Sequence, residues 1–109
     1  MPTQEVPGLV AHLFRHQAGR LVALLTGALG ARYLQLAEDV VQDALIAALH
    51  TWPMRGVPDN PPAWLLQVAR RRAIDVLRRD RSFSEKAEPL LIAHLAQATS
   101  DAETELDDT

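Results

Sequence analysis

Between Thr51 and Pro62 the chain reads TWPMRGVPDNPP, and four prolines and one glycine in twelve residues forbid a regular helix there. This break divides the chain into segments of strong helical periodicity. Before it, Ala37, Val40, Val41, Ala44, Leu45, Ala48 and Leu49 recur at three- and four-residue spacing, which predicts a helix over 36–51. Glu38 and Asp39 fall in its first turn, where the helix dipole favours carboxylates. Earlier still, Leu9, Val10, Leu13, Phe14, Leu21, Leu24, Leu25 and Ala28 form a broad apolar stripe that predicts a helix over 9–29. Pro7 and Gly8 read as its start signal, Gly30 as its stop, and Gly19 as the site of a bend.

After the break comes WLLQVARRRAIDVLRRDR, Trp64 to Arg81. Asn60 is a candidate cap, with Pro61 or Pro62 at the first helical position. Leu65, Val68, Ala69, Ala73, Val76 and Leu77 share one face; Leu66, Arg70, Arg71, Ile74, Asp75, Arg78 and Arg81 lie around the others. A capping box at Ser82–Glu85 and a weaker helix through Leu90, Leu91, Leu95 and Ala98 are expected next, and a frayed polar tail after Thr99. No stretch alternates with period two, so no sheet is expected. The fold class is all-α, a small bundle of three to four helices, with aliphatic side chains supplying a core for which aromatics, at 5%, are too few.

Charge is placed unevenly. Six of the eleven Lys and Arg residues lie between Arg70 and Arg81, although the formal net charge is -3. The last nine residues, DAETELDDT, hold five of the fourteen acids. A helix that buries one side and offers guanidinium groups on another can sit against phosphates, and from the residues alone this weighs about equally with a solvated charged face. On 36–51, Asp39, Gln42, Asp43, Ile46 and His50 remain for the outer face, which suits a basic partner with apolar patches but reads more simply as a solvated surface. In the break, Trp52 reads as structural. Arg55, Asp59 and Asn60 suit stacking on and hydrogen-bonding a base.

Other chemistry is missing from the sequence. There is no cysteine, no apolar run near the ~20 residues that span a bilayer, and no secretory leader, so a cytoplasmic protein is the expectation. His12 and His16 are four apart, but the residues between them do not form the zinc-binding His-Glu-x-x-His pattern. No glycine-rich phosphate loop or nucleophile elbow occurs. The expectation is a non-enzyme with no metal or cofactor.

The order AEDVVQDALIAAL, a Pro/Gly loop with Arg55-Gly56, then PPAWLLQVARRRAIDVLRR resembles region 2 of bacterial RNA polymerase sigma factors of the extracytoplasmic-function (group IV) type. The resemblance covers about residues 9 to 82, and its wording is most similar to a subgroup with a long C-terminal extension. It implies a region 2 domain over 1–82, followed over 83–109 by a weak helix and an acidic linker toward a missing region 4, as in an excised domain or a fragment. It implies that Glu38, Asp39, Gln42, Asp43 and Ile46 dock on the clamp helices of the polymerase β′ subunit. The loop Met54 to Asn60 then matches the segment that receives a flipped base of the minus-ten element. With Arg55, Asp59 and Asn60 in that loop, Arg70, Arg71, Ile74, Arg78 and Arg79 would hold the non-template strand. An anti-sigma factor is a further partner of such domains. Many relatives have Asn where this chain has Arg71, which puts base preference in question. The alternatives are a helical regulator that reads duplex DNA and a protein-interaction adapter with no polymerase role. The long proline-rich loop argues against the tight turn of a helix-turn-helix.

Overall fold

The computed structural model describes residues 2–79 and 92–97. Four helices account for most of this: α1, Pro2–His16; α2, Ala18–Leu29; α3, Leu34–Arg55; and α4, Pro61–Arg79, with a single 3-10 turn at Ala31–Tyr33 before α3. Residues 92–97 add a short helical stretch. No strand occurs among the described residues, and the architecture is an all-α bundle.

The long α3 is the centre of the domain and packs against α4, α2 and α1. Its inner face is rich in alanine: Ala37, Ala44 and Ala48 are buried, as are Ala69 and Ala73 of α4. Small side chains let helix axes approach closely, and Leu65, Leu66 and Leu77 of α4 fill the remaining space. Leu95 is also fully buried, so residues 92–97 are seated on the same core.

The first helical segment begins and divides differently from the expectation. Pro7 and Gly8 lie inside α1, which starts at Pro2. Val6, Val10 and Leu13 are all buried, and this i, i+4, i+7 stripe stabilises the extra turns against the backbone hydrogen bond lost at Pro7. The bend falls at Gln17 (φ -122°), two residues before Gly19. Hydrogen bonds continue across it, from Gln17 N–H to Leu13 O at 2.8 Å and from Leu21 N–H to Gln17 O at 3.0 Å.

The break is shorter than the proline count suggested. α3 runs through Pro53 to Arg55, because Trp52 is buried and meets Trp64 of α4 edge-on, ring centroids 5.2 Å apart. Gly56 ends the helix at φ 91°, where a side chain would be strained, and its N–H reaches Trp52 O at 2.8 Å. Only residues 56–60 lie outside helices. Asn60 then caps α4 as expected, its Oδ1 accepting a hydrogen bond from the Ala63 N–H at 3.2 Å. The end of the basic helix beyond Arg79, the capping box at Ser82–Glu85, and Leu90, Leu91 and Ala98 of the fourth helix lie outside the described residues.

Candidate nucleic-acid and partner interface

Two chemically different faces adjoin the core. The first is the outer side of α3. Asp39, Gln42, Asp43, Ile46 and His50 are exposed along it, and Glu38 is half-buried. Spacings of three and four residues hold Asp39, Gln42, Asp43 and Ile46 on one side of the helix. Asp39 is oriented from its own helix, its Oδ1 accepting from Gln35 Nε2 at 2.9 Å.

Beside Ile46 runs an open groove of about 590 Å³ between α1 and α3, lined by Val10, Phe14 and Arg15 on one side and Gln42, Ile46 and Leu49 on the other. Phe14 and Leu49, expected on inner stripes, are exposed at 57% and 40%, and Ile46 at 52%. The apolar stripe of each helix is wider than the surface its neighbours cover, so the residues at its edge stay in solvent. Sequence reading missed Phe14 and Leu49 as surface residues for this reason. The usable signal was the breadth of the stripe over 9–29, which exceeds what one buried face of a helix needs.

The second face belongs to α4 and the turn before it. Gln67, Arg71, Asp75 and Arg78 follow one another at three- and four-residue steps and form a seam on the side away from the core, the first half-buried and the others exposed. Arg72 and Arg79 are exposed beside it. Arg71 and Arg78 stand about 10.5 Å apart along the axis, near three nucleotide steps of a stacked strand at ~3.4 Å each. Arg70 is half-buried, and its Nε is shut off from solvent without a partner, so its terminal nitrogens are what it can present. At the turn, Arg55 and Asp59 are exposed and Asn60 is half-buried in its capping role.

Three expected assignments on α4 change. Leu66, placed off the apolar face, is fully buried. Ile74, placed among the DNA contacts, is only 9% exposed and belongs to the core cluster with Leu66. It is three residues before Leu77 and eight after Leu66, which keeps it on the inner side of α4. Val76, placed on the inner stripe, is 43% exposed. Trp52 is structural, and its Nε1 is sealed away from solvent.

A smaller cavity of about 310 Å³ lies where the start of α1 meets the turn, lined by Glu5, Leu9, Trp52, Pro53, Gly56 and Val57. The His12 and His16 rings lie tilted at 43° to each other, centroids 4.5 Å apart, on the exposed side of α1. Among the described residues no group of three or more metal-ligating side chains comes together, and no helix is long and apolar enough to cross a membrane.

Comparison with known proteins bears on both faces. The family model described as Sigma-70 region 2 matches residues 13–83, which takes in the outer side of α3, the turn, all of α4 and, of the groove's α1 wall, Phe14 and Arg15. An uncharacterised protein of Rhizobium meliloti (strain 1021) is 39% identical over 76 residues, covering 70% of this chain and 18% of the relative. The chain therefore spans about a fifth of the length of the curated relative it matches. No solved structure matches significantly.

Proposed function

The chain belongs to the sigma-70 region 2 family, and on that premise we propose that it is the promoter-recognising domain of a group IV, extracytoplasmic-function sigma factor. In this reading the outer side of α3 docks on the β′ clamp helices of core RNA polymerase, through Glu38, Asp39, Gln42, Asp43 and Ile46. The turn and α4 hold the non-template strand of the melted minus-ten element. Arg78 and Arg79 neutralise phosphates, and Arg71 meets a base presented near Arg55, Asp59 and Asn60. Ile74 takes no part, since it is buried.

The observation that carries this reading is the pairing of two unlike faces on two helices packed directly together: acids with exposed Ile46 on α3, and arginines on α4. Rigid packing would transmit the position of the polymerase to the strand. No bond is made or broken in such a function. Unstacking a base costs a few kcal/mol, which the turn and the phosphate contacts must offset. The partners are core polymerase and promoter DNA, which places the protein in the cytoplasm. An anti-sigma factor would compete for the α3 face. The same reading places the chain in a subgroup that carries a long C-terminal extension.

The test is capture of core polymerase by the chain and by Asp43→Arg, with helicity followed by circular dichroism. Reversing the charge should weaken capture and leave helicity unchanged; equal capture removes the docking assignment. For the second face, affinity for a minus-ten single strand should exceed that for the same sequence as duplex at matched salt. With only residues 56–60 between α3 and α4, loop length no longer separates this reading from a duplex-reading helix-turn-helix, and the strand comparison decides between them.

A further inference from the structure

The groove between α1 and α3 has two unlike rims. The start of α1 meets the end of α3 around the smaller cavity, where Glu5, Val6 and Leu9 face Trp52 and Pro53. The two helices therefore run antiparallel, and Arg15, at the far end of α1, stands level with Gln42, the first groove residue of α3. Arg15 is exposed, and so are Asp39 and Asp43, which lie within a turn of Gln42. One rim carries a cation and the other, at the same level, carries two carboxylates. Between them Phe14, Ile46 and Leu49 leave 57%, 52% and 40% of their surface in solvent. An apolar strip with opposite charges on its two edges is complementary to itself.

We propose that the occupant of this groove is the same face of a second copy, in a two-fold dimer. The charges select one orientation. A two-fold axis along the groove sets α1 of each copy over α3 of the other without changing level. Arg15 of one copy then meets Asp39 and Asp43 of the other, and symmetry repeats the contact. An axis across the groove would lay α1 on α1 and carry Arg15 to the opposite end, away from both acids. In the favoured orientation Phe14, Ile46 and Leu49 of both copies close over the strip and leave water together. Three half-exposed apolar side chains from each copy make an interface at the low end of the usual size range, so the dimer is weak and exchanges readily. It covers Asp39, Asp43 and Ile46, so the dimer and the polymerase complex exclude each other. That consequence rests on the docking reading of α3; the dimer itself does not.

The experiment is sedimentation equilibrium of the full chain from about 10 µM to 1 mM, a range that brackets a weak association. The parent is compared with Arg15→Asp, with a D39R/D43R protein, and with all three changes together, and circular dichroism checks each fold. Core polymerase is then titrated into the parent dimer. At about 50 mM salt the parent should dimerise with a dissociation constant between roughly 10 and 500 µM. An exposed ion pair is weak, but symmetry counts it twice and reversal turns attraction into repulsion. Arg15→Asp and the D39R/D43R protein should therefore each associate roughly three- to tenfold more weakly. The difference should shrink below about twofold at about 0.5 M salt, where the screening length is about 4 Å. The triple variant should regain the parent's affinity to within about twofold, because exchanging charges restores only a contact between these two rims. A parent that stays monomeric at the highest concentration overturns the proposal. So does a dimer indifferent to the reversals, which then uses another face, and so does assembly past the dimer, which a closed two-fold forbids. A charge-rescued dimer that core polymerase fails to dissociate leaves the dimer standing and removes the docking assignment on α3. A monomer that binds core polymerase does the reverse.

Discussion

Replacing Ile46 by alanine separates a docking surface from a merely half-covered side chain. Ile46 is 52% exposed on the outer side of α3, at the edge of the groove shared with Phe14. Fully burying an isoleucine side chain is worth about 1.5–3 kcal/mol, so the exposed half leaves about 0.8–1.5 kcal/mol for a partner to gain. Losing that contribution should weaken binding of core polymerase roughly four- to twelvefold. The domain itself should hardly notice. The half already buried contributes a similar amount, and the better helix propensity of alanine offsets part of its loss, by up to about 0.7 kcal/mol. A net cost below about 1 kcal/mol should lower the melting temperature by no more than ~4–8 °C. The assay is titration of labelled chain with core polymerase, paired with thermal unfolding followed by circular dichroism. Phe14→Ala, alone and combined with Ile46→Ala, extends it. If one partner fills the groove, the two losses should depart from additivity by at least ~0.5 kcal/mol. Unchanged polymerase affinity in Ile46→Ala would refute the docking reasoning. A destabilisation above about 3 kcal/mol would refute the exposure on which the magnitude rests.

Three further outcomes are expected. Asn60→Ala should cost about 1 kcal/mol in denaturant unfolding through loss of the cap on Ala63, while Asn60→Ser, which can still cap, should keep the parent's stability; equal midpoints for all three proteins would show that the cap contributes nothing. Arg79→Ala should weaken binding to every single strand alike and lower the slope of log affinity against log salt by roughly 0.7, whereas Arg71→Ala should reorder a panel of minus-ten variants; an unaltered ranking would reduce Arg71 to electrostatics. Leu65→Ala, at a fully buried position between α4 and α3, should cost about 2–5 kcal/mol, and a loss under 1 kcal/mol would contradict the packing described.

Helix positions were legible in the residues because amphipathic periodicity is a local property. The inner stripe of α3 from Ala37 to Ala48 and the start of α4 at its Asn60 cap both follow from spacing and capping chemistry. So did the concentration of charge, since the arginines of α4 and the acids of the last nine residues are adjacent in sequence. Tertiary contact decided what spacing cannot express. Pro7 and Pro53 signal breaks locally, yet both sit within helices, because the burial of Val6 and of Trp52 against Trp64 outweighs the lost backbone hydrogen bonds. Periodicity also marks only the centre of a buried stripe. Whether an edge residue is covered depends on the neighbouring helix, and on that account Ile74 is in the core while Phe14, Leu49 and Val76 face solvent.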